Sequence, residues 1–99
     1  MSKGVEMTYK VALHPSVRKN LKKLYRLDRQ GYEYVKQRLC LLSYKPEMGA
    51  PLGAEFEGKW RIHIGPFVLV YKFDSNTNIL TLLILEHYTW VYNMYTAYA

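Results

Sequence analysis

The sequence predicts an α+β domain: one strand, a helical hairpin, then a three-stranded antiparallel meander, giving a single small sheet packed on two helices. Three observations carry that expectation. Apolar residues alternate with basic ones on either side of Gly65-Pro66, as in a β-hairpin with one buried face. Between residues 15 and 45 the apolar positions recur at helical spacing in two stripes. From Ile79 to Leu85 the chain is apolar on both alternating faces, as in a central strand.

Taken in order, residues 1–6 read as an N-terminal extension and residues 7–99 as one domain. Thr8 to His14 alternates Tyr9, Val11 and Leu13 against Thr8, Lys10 and Ala12, which predicts a first strand, joining the sheet beside the last. Pro15 suits the first turn of a helix. Val17, Leu21, Leu24 and Leu27 then form its apolar stripe, with Arg18, Lys19, Lys22, Lys23 and Arg26 outside. Asp28-Arg29-Gln30-Gly31 reads as a break. Tyr32, Val35, Leu39 and Leu42 mark a second helix, which ends before Pro46.

Lys45 to Gly58 has Pro and Gly but no clean period, and reads as a loop. In the hairpin, Gly65 takes a positive φ and Pro66 fixes the next angle. That closure pairs Ile64 with Phe67, His63 with Val68, Arg61 with Val70 and Lys59 with Lys72. Trp60, Ile62, Ile64, Phe67, Leu69, Tyr71 and Phe73 then share a core face. The other face carries Lys59, Arg61, His63 and Lys72 around a floor of Val68 and Val70. Asp74 to Asn78 is a turn cluster, and Ile79 to Leu85 is expected to be buried on each side. The tail holds Tyr88, Trp90, Tyr92, Tyr95 and Tyr98, aromatics suited either to packing or to a partner.

At 99 residues with 49% hydrophobic content, the chain can bury a core without staples. A single Cys40 excludes an internal disulfide framework and fits a reducing, cytoplasmic setting. No apolar run approaches the roughly 20 residues of a membrane span. The net charge of +6 is unevenly placed: residues 1–45 hold 11 Lys or Arg against 3 Asp or Glu, while residues 46–99 hold 3 against 5. The basic excess lies on the helices, serving either as a solubilising face or as an attractor of nucleic-acid phosphates. His14, His63 and His87 are scattered, so no metal site is expected, and no Gly-rich phosphate loop is present. No cofactor is implied.

Trp60-Arg61-Ile62-His63-Ile64-Gly65, continued by Phe67, Leu69-Val70-Tyr71, resembles the central hairpin of the RelE/ParE toxin superfamily. His87-Tyr88-Thr89-Trp90-Val91-Tyr92 is similar to that family's C-terminal signature. Met7 to Val11, His14-Pro15-Ser16-Val17 and Ala50-Pro51-Leu52 extend the resemblance over about residues 7 to 92. The resemblance implies a RelE-like toxin: a ribosome-dependent mRNA endonuclease that inhibits translation and is neutralised by a small acidic antitoxin encoded nearby. Its alternatives are a ParE-like topoisomerase inhibitor and a catalytically weak or inactive RNA- or partner-binding relative.

Metal-free RNA cleavage by the 2′-hydroxyl needs a proton acceptor, a proton donor and cations for the phosphorane-like transition state. By resemblance Arg61 supplies transition-state charge, and His63 takes the next cationic position as acid or base. Tyr92 stacks on a base or moves a proton, and His87 matches the signature histidine. Lys59, Lys72, Lys22, Lys23 and Arg26 are the expected RNA-binding cations, with ribosome and mRNA as partners. Two departures stand out: Val68 and Tyr88 occupy positions where relatives commonly carry Arg.

Overall fold

Residues 8–53 and 58–87 are described by the computed structural model. The extension at 1–6, loop residues 54–57 and the aromatic tail with Tyr88, Trp90, Tyr92, Tyr95 and Tyr98 lie outside the described residues. The elements run β1 (Lys10–Leu13), α1 (Pro15–Leu27), α2 (Arg29–Tyr44), a 3₁₀ turn (Pro46–Met48), β2 (Ala50–Pro51), β3 (Trp60–Ile64), β4 (Phe67–Asp74) and β5 (Ile79–His87). The strands form one sheet in the order β1-β5-β4-β3-β2, with β1 parallel to β5 and the other neighbours antiparallel.

The hairpin closes in the expected register: Ile64 opposes Phe67, His63 opposes Val68 and Arg61 opposes Val70. Gly65 has φ +58°, a conformation that costs an L side chain about 1–2 kcal/mol. The same turn lies against the Tyr34 ring of α2. Ile64, Leu69 and Tyr71 are fully buried on the helix-facing side, with Trp60, Ile62, Phe67 and Phe73 packed against them. Tyr9, Trp60 and Phe73 form an aromatic layer there, Tyr9 edge-on to Phe73 at 5.8 Å and Trp60 at 5.2 Å.

Helix α1 begins where Pro15 and a cap predict it. The His14 ring nitrogen accepts from the Ser16 N–H at 3.1 Å. Val17, Leu21 and Leu24 meet the sheet, but Leu27 is 69% exposed and leaves the stripe. The predicted four-residue break shrinks to Asp28. Its backbone N–H closes α1 on the Leu24 carbonyl, and its carboxylate caps α2 by accepting from Gly31 N–H at 3.0 Å. One residue that both ends and starts a helix needs no loop. Val35 and Leu42 of α2 are fully buried, and Leu39 packs beside them, as the second stripe requires.

Three further expectations change. The first strand is shorter than Thr8–His14, because His14 turns into the cap of α1. The stretch from Lys45 to Gly58 holds a 3₁₀ turn and the short strand β2. Both depend on partners remote in sequence, so no local period marks them: Ala50 pairs with Arg61, and Pro46 accepts from Tyr71. Finally, β5 is not buried on each side. Leu80, Leu82 and Leu85 are buried against the helices, whereas Ile79 and Ile84 are 39% and 44% exposed on the opposite, far face.

That division follows from a bulge. Val70 opposes Ile84 but Tyr71 opposes Leu82, leaving Leu83 unpaired. Leu80 and Leu82 face the helices before it, Leu85 and His87 after it. The open edge of β5 beyond β1 is served by α1: Asn20 donates to the Leu85 carbonyl at 2.7 Å, and Ser16 reaches that of Leu83 at 3.5 Å.

Candidate functional site

Strand alternation places Arg61 and His63 of β3 on the far face, with Val68, Val70 and Lys72 of β4 and Ile84 and Glu86 of β5. Two cross-strand rows result. One runs His63, Val68, Glu86, and the next runs Arg61, Val70, Ile84. Lys72 opposes Thr81 farther along the same face. Arg61, His63 and Lys72 are exposed, Glu86 is partly buried, and Val68 is buried as their floor. Lys59 sits just before β3, partly buried, its carbonyl accepting from the Leu52 N–H at 2.8 Å.

Glu86 is the acidic residue that the sequence reading missed. Under strict alternation from Leu80 and Leu82 it would face the helices. The bulge at Leu83 turns it to the face of Arg61 and His63. Four consecutive apolar residues, Leu82 to Leu85, were the available signal, since unbroken alternation cannot bury such a run against one layer.

The backbone beneath Arg61 is fixed from behind. Tyr71, fully buried on the helix side, donates its hydroxyl to the Pro46 carbonyl at 2.5 Å. Burial pushes its pKa up to about 12, with the nearby Glu47 adding to the rise and a hydrogen bond from the Gly49 backbone opposing it. A Cβ at Gly49 would collide with that hydroxyl and stand 2.6 Å from the Arg61 carbonyl. The turn, β2 and the Arg61 backbone are therefore packed as one unit, which fixes where the Arg61 side chain leaves the sheet.

The remaining predicted site residues fall elsewhere. His87 faces the helices, its ring 5.9 Å from Phe67 and edge-on to it. With Asn20, Lys23, Leu24 and Leu27 it borders a hollow of about 280 Å³ at the end of α1. Lys22 and Arg26 line another of about 490 Å³ with Leu13, Leu21, Tyr25 and Tyr32. Lys22, Lys23 and Arg26 thus belong to the helix layer, across the sheet from Arg61, His63 and Lys72. Tyr92 lies outside the described residues. Among the described residues no three His, Cys, Asp or Glu side chains cluster to hold a metal ion, and none of the helices is long and apolar enough to cross a membrane.

Residues 11–88 match the model of the ParE toxin of type II toxin–antitoxin systems. The chain belongs to the ParE toxin family. Solved structures share the toxin fold at low identity. The RelBE2 toxin–antitoxin complex from Mycobacterium tuberculosis aligns with TM-score 0.70 and 24% identity, over 82% of this chain and 92% of that one. A YoeB/ParE toxin from Agrobacterium tumefaciens gives 0.69 and 18%, over 79% and 96%. The archaeal RelE–RelB complex from Pyrococcus horikoshii gives 0.64 and 24%, over 83% and 97%. These likenesses establish that the ParE-family toxin has the fold of RelE and YoeB. No curated protein matches it significantly.

Proposed function

We propose that this toxin acts on RNA in the cytoplasm, as a ribosome-dependent mRNA endonuclease kept silent by a small acidic antitoxin. The observation that carries the reading is the far face of the sheet, where Arg61, His63 and Lys72 project together over an apolar floor. Cleavage by the 2′-hydroxyl needs cations beside the phosphate and groups that trade protons, and this face offers both. Arg61 suits the transition state, because a guanidinium spans two phosphate oxygens. Lys22, Lys23 and Arg26 serve as a separate phosphate contact, holding the toxin on ribosomal RNA. RelE, RelBE2 and YoeB neighbours solved with their antitoxins support an antitoxin partner, and the positive charge of this chain calls for an acidic one.

Val68 supports a second reading. It puts an apolar residue at the centre of the face, and beside it Ile84 is exposed and suits contact with a protein such as a topoisomerase; a ParDE system is among the structural neighbours. Primer extension on mRNA from a translation extract separates the two. The nuclease reading expects cleavage products that Arg61→Ala reduces about 10²-fold or more. It also expects Arg61→Ala and Lys72→Ala to weaken RNA binding and flatten its salt dependence. Absence of products, together with inhibition of DNA supercoiling, would replace it with the topoisomerase reading.

A further inference from the structure

We propose that Glu86 and His63 form the acid–base pair of this toxin, Glu86 taking the proton from the attacking 2′-hydroxyl and His63 giving one to the leaving oxygen. The inference rests on the nuclease reading and adds a residue to it. Its basis is the register: His63 opposes Val68, and Val68 opposes Glu86, so the two titratable groups stand in one row on one face. Their Cα atoms are two strand spacings apart, about 10 Å. The buried Val68 between them carries no polar atom to compete for a proton.

That separation fits in-line displacement. The entering 2′-oxygen and the leaving 5′-oxygen lie on opposite sides of phosphorus. Base and acid must stand apart, each within about 3 Å of its own oxygen. In the step, the Glu86 carboxylate accepts the 2′-hydroxyl proton as the 2′-oxygen bonds to phosphorus. The bond from phosphorus to the 5′-oxygen breaks, and the His63 imidazolium protonates that oxygen. The products are a 2′,3′-cyclic phosphate and a 5′-hydroxyl end. Arg61, in the adjacent row two residues before His63, reaches the non-bridging oxygens.

Other charged groups border the pair. Arg61 lies beside His63 on β3, and Lys72 lies farther along β4. Lys23 of α1 borders the same hollow as Glu86 and His87. The bulge at Leu83 is the device that assembles the pair, since without it Glu86 would lie on the helix side.

The test is a single-turnover pH–rate profile of cleavage on programmed ribosomes, with thermal melts of every variant. Wild type should show a rising limb from a carboxyl group losing its proton and a falling limb from an imidazolium losing its own. Glu86→Gln should lower the rate about 10²-fold or more and abolish the rising limb, and His63→Gln should abolish the falling limb. Glu86→Asp should keep the rising limb at a reduced rate, which a purely structural role for Glu86 would not produce. A wild type that cleaves, beside a Glu86→Gln variant with the same rate and both limbs, overturns the pair and leaves the nuclease reading intact. A wild type that never cleaves overturns both.

Discussion

At Tyr71 a buried phenol ties residues 25 positions apart, donating to the Pro46 carbonyl at 2.5 Å while the Gly49 backbone donates back to it. Tyr71→Phe leaves both backbone groups without that partner and should cost about 1–3 kcal/mol in chemical denaturation. The pH dependence has a definite sign. A phenol whose folded pKa is raised from 10.0 to about 12 adds stability that is fully present below pH 10 and lost as pH rises towards 12. The stability gap between wild type and Tyr71→Phe should therefore hold to pH 10 and narrow above it. Sequence could not show this contact, because nothing local distinguishes Tyr71 from the other core aromatics. Arg61 and His63 were legible, since alternation about Gly65-Pro66 fixes their face. Glu86 was not, because a bulge is a choice made by packing.

The elements repeat that contrast. Both helical stripes and the hairpin could be read directly, since each is dictated by a period and bounded by a cap or a turn. The short β2 and the 3₁₀ turn could not, because they exist only through pairing with β3 and Tyr71. The edge of β5 adds a test. Past Leu82 it has no strand on its outer side among the described residues, and Asn20 of α1 occupies part of that edge. Asn20→Leu should lose about 1–2 kcal/mol and raise amide exchange near Leu85. Unchanged exchange there would mean that water replaces the side chain without penalty.

Across the whole molecule the charge is divided between two layers. Composition showed where the basic residues lie in the chain, and the topology shows that they do not converge. Lys22, Lys23 and Arg26 stand on the helix layer, while Arg61, His63 and Lys72 stand on the far face of the sheet. Replacing the three helix cations with Glu should weaken ribosome binding and reduce its salt slope by about 2. Cleavage at saturating ribosome concentration should be nearly unchanged. A matching loss of cleavage at saturation would mean that one ligand spans both layers.

The parallel pairing of β1 with β5 joins Lys10 to Ile79 and Leu13 to Leu82. During synthesis, β1 leaves the ribosome first and then waits for a partner made almost 70 residues later, a delay on the order of ten seconds. In that interval β4 has no β5 beside it either, and the row from His63 to Glu86 is unfinished. The toxin's own contact order thus sets a sequence of assembly: the nascent chain cannot complete its far face until translation of these residues is done.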